Sequence, residues 1–247
     1  MKIVLSKIDV LRDSFTSIGE LIDEGILRVD KNGLNLTAAD RAMVAVVQFR
    51  MPPTIFEEFQ ATSAVIPLNI TNFVSILKRA KPNEKIILEL KNNNLEVTMK
   101  GDSTRRFTLP LIELEEEELP SVEKLEFKTK AVVKSDILKN GIDDAEIVSD
   151  SVIFEAKKDL FVMKAVGDTS STELTLKKGD NEGLIELQGS ESRARYPLDY
   201  LKKMIKAAKL SDESTIMWST DYPMKLIFKD MDKVEIAFVL APRVQEE

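Results

Sequence analysis

The second half of this chain repeats the first. Residues Leu21–Val29 and Ile147–Glu155 both close an amphipathic stretch, cross a polar break and enter an alternating strand. Further on, Leu95–Lys100 matches Met224–Lys229. Each of these strands passes through a polar turn into a last one, Phe107–Leu111 in the first half and Ile236–Leu240 in the second. A recurring supersecondary unit must bury the same face each time, so the repeat restricts the fold more than any single motif does. Two similar domains are expected, over residues 1–112 and 126–247, and 247 residues suffice for two cores of ordinary size.

Residues 113–125 separate them. Glu113, Glu115, Glu116, Glu117, Glu118 and Glu123 make this segment acidic, Pro120 interrupts it, and neither the helical nor the strand period runs through it. The pattern predicts an extended, exposed connection, although a plain solvated loop has the same composition. Leu119 and Pro120 form an apolar pair in that acidic setting, which suggests a contact.

Strands dominate each half. Ile26–Val29, Leu34–Thr37, Val44–Phe49, Lys85–Leu90, Leu95–Met99 and Arg105–Leu111 are short and alternating or β-branched, with Asn32-Gly33 and Asn92-Asn93-Asn94 as hairpin turns. Four stretches carry the helical period instead. Their apolar faces are Leu11, Phe15, Ile18 and Ile22; Phe73, Ile76, Leu77 and Ala80; Ile137, Leu138, Ile142 and Ala145; and Leu201, Met204, Ile205 and Ala208. Three or more strands follow each helix. Each half is thus predicted to be a doubled strand-helix-strand-strand-strand unit, an α+β fold with helices on one face of antiparallel sheets.

Composition narrows the chemistry. The chain has no cysteine and no histidine, which removes disulfides, thiolate nucleophiles, zinc–sulfur sites and histidine general bases. It holds 9 glycines and no Gly-rich phosphate-binding sequence. No catalytic residue, metal ligand or cofactor is assigned. Asp40, Asp150 and Asp168 leave a carboxylate-dependent metal nuclease as the enzymatic alternative, but nothing in their spacing gathers them. No apolar run approaches the ~20 residues of a membrane-spanning helix, and Met1–Leu5 turns polar too soon for a signal peptide. An intracellular protein away from membranes is expected.

A net charge of −7 argues against nucleic acid until its distribution is examined. Opposite the apolar face of the fourth helix, Lys202, Lys206 and Lys209 recur at i, i+4 and i+7, with Lys203 beside them. Like charges at that spacing repel by roughly 0.2–0.5 kcal/mol per pair, so the row suggests an anionic partner; a solvated helix face is the plain alternative. Lys78, Arg79 and Lys81 repeat the bias after the second helix, and Lys7 and Arg12 add to it. No aromatic platform or arginine-rich reading helix accompanies these groups. They suit phosphates and not base edges, which means sequence-blind, salt-sensitive contact.

Several segments, in order along the whole chain, resemble the proliferating cell nuclear antigen family, especially its archaeal members. They are Leu21-Ile22-Asp23-Glu24, Asn35-Leu36-Thr37-Ala38-Ala39-Asp40, Ser75-Ile76-Leu77-Lys78-Arg79-Ala80, Val148-Ser149-Asp150-Ser151 and Leu240-Ala241-Pro242-Arg243-Val244. The resemblance implies a DNA sliding clamp and not an enzyme. Three two-domain subunits would close into a ring, a homotrimer, around double-stranded DNA, with residues 113–125 as the interdomain connecting loop. Lys7, Arg12, Lys78, Arg79, Lys81, Lys202, Lys203, Lys206 and Lys209 would face the DNA. Strand edges would join subunits through Arg105, Arg106, Phe107, Thr108 and Leu109 on one side and Thr172, Leu174 and Leu176 on the other. Arg105 and Arg106 would pair there with Asp143, Asp144 and Glu146 of the third helix. DNA polymerase, clamp loader, flap nuclease and DNA ligase would dock by short peptides in a pocket under the loop. By position that pocket involves Met43, Val44, Leu114, Leu119, Pro120, Pro223, Val239, Ala241, Pro242, Arg243 and Val244, and the tail after Leu240 would lend backbone groups to the peptide. No cofactor and no membrane is implied. The compartment would be the cytoplasm, at the nucleoid, in an archaeon and the nucleus in a eukaryote. One subunit of a heterotrimeric or checkpoint-type clamp remains the alternative.

Overall fold

The computed structural model describes residues 1–61, 63–115, 119, 122–180 and 183–243. The first half of the chain runs β1 (Lys2–Leu5), α1 (Ile8–Ile18), β2 (Glu24–Asp30), β3 (Gly33–Ala39), β4 (Ala45–Met51) and β5 (Glu58–Gln60), then β6 (Ala64–Asn69), α2 (Ile70–Leu77), β7 (Lys85–Lys91), β8 (Asn94–Lys100) and β9 (Thr104–Pro110). The second half runs β10 (Thr129–Lys134), α3 (Ser135–Val148), β11 (Ser151–Lys157), β12 (Leu160–Val166), β13 (Ser171–Lys177) and β14 (Leu184–Gly189), then β15 (Ser192–Pro197), α4 (Leu198–Met204), β16 (Glu213–Trp218), β17 (Met224–Asp230) and β18 (Val234–Leu240). Each half is the doubled unit that the sequence predicts, with one further short strand, β5 or β14, before its second pass. Two compact units result. Met1–Arg41, Val47–Leu119 and Asp230–Ile236 form one; Ala42–Val46, Pro120–Lys229 and Ala237–Glu247 form the other.

Within a unit, the two passes exchange strands. β1 precedes α1 but pairs antiparallel with β7, which follows α2, in the register Ile3↔Leu88. β6 precedes α2 but pairs with β2, which follows α1, in the register Leu27↔Ile66. The second half does the same: β10 pairs with β16 (Ala131↔Ile216) and β15 with β11 (Phe154↔Ala194). Neither pass can complete a sheet alone, because its first strand belongs to the other pass. The extra strands sit at matching places, β5 on β1 and β14 on β10. The helix starts match too: the first amide of α2, Ile70 N, donates to Asp23 O at 2.8 Å, and that of α4, Leu198 N, donates to Asp150 O at 2.9 Å. Asp23 and Asp150 are therefore the equivalent positions, one residue away from where the sequence alignment of the breaks sets them.

Helix α1 buries Ile8, Leu11, Phe15 and Ile18, and α2 buries Ile70, Phe73, Val74 and Leu77. Phe15 lies edge-on to Phe73 with centroids 4.9 Å apart, and to Phe49 of β4 at 5.3 Å; such pairs add about 0.5–1.5 kcal/mol beyond area burial. The Asn69 side chain caps α2 by accepting from Asn72 N at 2.8 Å. In the second unit Phe154 and Phe161 of the β11–β12 hairpin pack edge-on against Trp218 of β16, at 6.5 and 5.8 Å, which joins its two sheets. Three helices end sooner than their apolar period suggests. Ile22 and Ala80 are buried but lie beyond α1 and α2. After Met204 the α4 turn tightens into a 3-10 helix, Ile205–Leu210. The period there drops to three residues per turn, so Ala207 takes the buried place and Ala208 stays half-exposed.

Two glycines separate backbone strain from crowding. Gly33 closes the β2–β3 hairpin at φ 113°, and a Cβ there would lie 2.0 Å from Met51 O. Gly179 has φ 87° with no atom within 4 Å of its Cβ position. Gly179→Ala should cost only the left-handed backbone term, about 1–2 kcal/mol. Gly33→Ala should cost more than about 3 kcal/mol, because β4 must also move. Urea unfolding of the two variants checks this; equal losses would contradict it.

Candidate nucleic-acid and partner interfaces

The lysine row of α4 survives the change of helix type. Lys202 to Lys206 spans an α turn and Lys206 to Lys209 spans one 3-10 turn, so all three share a side. Leu198, Leu201, Met204, Ile205, Ala207 and Leu210 fill the other side and are buried. Lys206 and Lys209 are exposed; Lys202 and Lys203 are half-buried, with the Lys203 ammonium 5.6 Å from the Tyr200 ring centroid. Helix α3 lies alongside, and an open groove between the two takes in Lys134, Lys139, Asp143, Lys202, Lys206 and Lys209. Two acids of α3 are engaged within this unit. Asp143 pairs with Lys139 and Glu146 with Lys202. A carboxylate for Lys202 thus comes from the neighbouring helix. Exposed pairs of this kind are worth at most about 1 kcal/mol, little enough for a phosphate to displace Glu146.

In the first unit, Lys78, Arg79 and Lys81 form an exposed turn after α2, and Lys7 is exposed at the start of α1. Arg12 has partners close by. It pairs with Asp9 and Asp13 on its own helix and is only partly exposed.

The two candidate joining strands are both sheet edges: β9 ends the order β5-β1-β7-β8-β9 and β13 ends the order β13-β12-β11-β15. Their exposure alternates identically, with Arg105, Phe107 and Leu109 on the more buried side of β9 and Thr172, Leu174 and Leu176 on that of β13. A Cβ on Gly141 of α3 would lie 2.8 Å from Leu174 Cδ2, so α3 is packed tightly onto β13. The alternation sets the two arginines, both expected to pair with α3 of a neighbouring subunit, on different faces of β9. Adjacent residues of a strand face opposite ways, so Arg105 and Arg106 leave β9 on opposite sides. Arg106 lies 4.0 Å from Glu96 on the other face. Arg105 is taken by Glu84 at 2.6 Å, whose side chain is 4% exposed. Asp144 remains exposed on α3.

The candidate peptide residues divide between the units. Leu114 and Leu119 belong to the first and are half-buried. Met43, Val44, Pro223, Val239, Ala241, Pro242 and Arg243 belong to the second. Pro120 and Val244 lie outside the described residues. Met43 is 46% exposed and has φ 56°. A bulky residue in that region marks a strained position where function is often found, so Met43 is no ordinary core residue. Val239 is a correction, since it is buried in β18 at 5% exposure and shows a partner almost no surface. Of the tail after Leu240, residues 241–243 are described. Ala241 N donates to Val44 O at 3.0 Å and Arg243 N to Arg195 O at 2.8 Å, so these amides are already used. The Arg243 guanidinium lies 2.6 Å from Asp150 and holds that carboxyl below the usual carboxylate range. No pattern in the sequence signals this latch or the burial of Glu84. Among the described residues no group of three or more Asp or Glu could hold a metal ion.

The family model for the proliferating cell nuclear antigen N-terminal domain matches residues 1–118, and that for its C-terminal domain matches residues 121–243. A DNA polymerase sliding clamp of Thermococcus gammatolerans is 37% identical over 237 residues, covering 95% of this chain and 94% of the relative. That of Pyrococcus furiosus is 36% identical, covering 92% of each. Among solved structures, the PCNA2-PCNA3 complex of Sulfolobus tokodaii superposes with a TM-score of 0.91 at 29% identity, over 99% of this chain and 100% of that one. The PCNA of A. fulgidus, with the C-terminal region of FEN-1 bound, superposes with a TM-score of 0.88 at 26% identity, over 100% and 99%. Matched from residue 1 to residue 243 in both of its halves, the chain belongs to the proliferating cell nuclear antigen family.

Proposed function

We propose that the chain is a DNA sliding clamp subunit with no catalytic activity of its own. Three copies join head to tail through β9 and β13 into a closed homotrimeric ring around duplex DNA. The ring tethers DNA polymerase and recruits other replication and repair proteins. The observation that carries this reading is the one-sided lysine row Lys202, Lys206 and Lys209, on a helix whose other side is buried, in a chain matched to the family along its length. Point charges on flexible stems attract phosphates without reading bases. Topological closure then supplies retention, and weak contact permits sliding. Two unpaired edges of matching alternation support head-to-tail closure, because an open edge is a template for another strand. The named relatives support the polymerase role, and the FEN-1 complex of the A. fulgidus protein supports peptide recruitment of a flap nuclease. The Sulfolobus tokodaii complex of two different PCNA chains makes a heterotrimer the second reading.

Light scattering of the pure protein should give three times the 27.8 kDa subunit mass; a stable monomer at high micromolar concentration would point to a heterotrimer. Replacing Lys202, Lys203, Lys206 and Lys209 by alanine should leave that mass unchanged and weaken duplex binding regardless of sequence. For every phosphate that the variant no longer neutralises, the slope of log affinity against log salt should flatten by about 0.9, so the deficit is largest at low salt. An unchanged slope would remove α4 from the DNA-facing wall. Leu119→Ala should weaken binding of a flap-nuclease C-terminal peptide by roughly tenfold, as for a packed anchor, while duplex binding stays at the wild-type level; an unaltered peptide affinity would exclude Leu119 from the pocket.

A further inference from the structure

The turn Lys78–Lys81 carries three of the proposed DNA-facing charges, and its backbone is held from two sides. Lys81 N donates to Glu84 Oε2 at 2.8 Å. Arg105 Nη2, from the edge strand β9, donates to Arg79 O at 2.9 Å and to the same Glu84 Oε2 at 2.6 Å. One ion pair thus satisfies a backbone donor and a backbone acceptor of the turn. The burial is unusual for a surface loop, with the Glu84 side chain 4% and the Arg105 side chain 29% exposed. A carboxylate taken out of water is costly unless it is paired and hydrogen-bonded, and both conditions hold here. The space for it is specific as well. A Cβ on Gly101, after β8, would lie 2.9 Å from Glu84 Cγ, so a side chain at 101 would push the carboxylate out of place.

We propose that Glu84 and Arg105 are positioning residues for DNA contact, their ion pair fixing the backbone of the Lys78–Lys81 turn to strand β9 so that its three cations stand on a rigid support. The proposal rests on the reading of this turn as facing duplex DNA. A preordered turn gives up no conformational freedom when phosphates bind, whereas a loose one must be ordered first. Arginine suits 105, because one guanidinium nitrogen meets the carbonyl and the carboxylate together from a planar, preorganised group; a lysine keeps the charge but brings a flexible ammonium with a different donor geometry. The Lys81 amide first, and Arg105 next, hold the Glu84 carboxyl below its usual range, so the clip stays ionised at neutral pH.

Four full-length variants test this: E84Q, which keeps shape and removes charge; G101A, which keeps charge and displaces the side chain; R105K; and the triple replacement of Lys78, Arg79 and Lys81 by alanine. The readouts are amide exchange at Lys81, the pH titration of the Lys81 amide resonance, mass in solution and affinity for duplex DNA. In the wild type the Lys81 resonance should titrate below the usual carboxylate range, and E84Q should abolish that step. E84Q and G101A should speed Lys81 exchange by about tenfold, the effect of losing a charge-assisted hydrogen bond, and should weaken duplex affinity severalfold at unchanged mass, with R105K between them and the wild type. Should E84Q fail to fold, G101A and R105K carry the same comparison. Wild-type DNA affinity in E84Q and G101A beside a weakened triple variant overturns the positioning role and leaves the turn facing DNA. Wild-type affinity in the triple variant as well overturns the proposal together with the reading of the turn.

Discussion

The exchange of first strands between the two passes of each unit is the constraint on which the rest depends. β1 is hydrogen-bonded to β7 and β6 to β2, so neither sheet forms until both passes are present. The helices that follow β1 and β6 must then pack side by side, and Phe15 against Phe73 is the contact between them. The second unit repeats this with β10 on β16 and β15 on β11, and α3 and α4 border one groove. Strand pairing therefore brings the lysine row of α4 beside the acids of α3, and the Glu146–Lys202 pair spans the two helices. The same topology leaves β9 and β13 at sheet edges, where an unpaired backbone can accept another chain.

Charge in this molecule is organised by who reaches whom, more than by how much of it there is. Glu146 of α3 reaches Lys202, Asp150 reaches Arg243 of the tail, and Glu84 reaches Arg105. The first is exposed and can be displaced by a phosphate. The last is buried and cannot be exchanged without leaving a carboxylate unpaired. In the proposed reading the difference divides the roles: exposed lysines meet the phosphates, and the buried pair sets the backbone that carries its neighbouring cations. A net charge of −7 is compatible with DNA for that reason, since the cations lie on particular surfaces and much of the acid is engaged elsewhere.

The repeat, the four helices and the lysine row are legible in sequence because each rests on a period. Even the change from α to 3-10 after Met204 leaves Lys206 and Lys209 on the expected side, and it alters only the assignment of Ala208, which Ala207 replaces. The separation of Arg105 from Arg106 was also legible, because neighbours on a strand face opposite ways; charge pattern alone hid it. β5 spans only Glu58–Gln60, too short for an alternation to show. Glu84 sits in Lys81-Pro82-Asn83-Glu84-Lys85, which reads as a solvated loop; its place depends on the bare backbone at Gly101 and on Arg105, both outside this loop, and no local pattern carries that. The tail's latch depends likewise on Asp150 and Arg243, 93 positions apart.

Encirclement of duplex DNA is tested most directly by topology. The protein, with a clamp loader and ATP, is placed on a singly nicked circular plasmid, freed of unbound protein by gel filtration, and passed over a second column before and after the plasmid is cut once. A closed ring should stay with the circle and be lost from the cut molecule by sliding off its ends. Equal retention on circular and linear DNA would show ordinary surface binding and contradict the clamp.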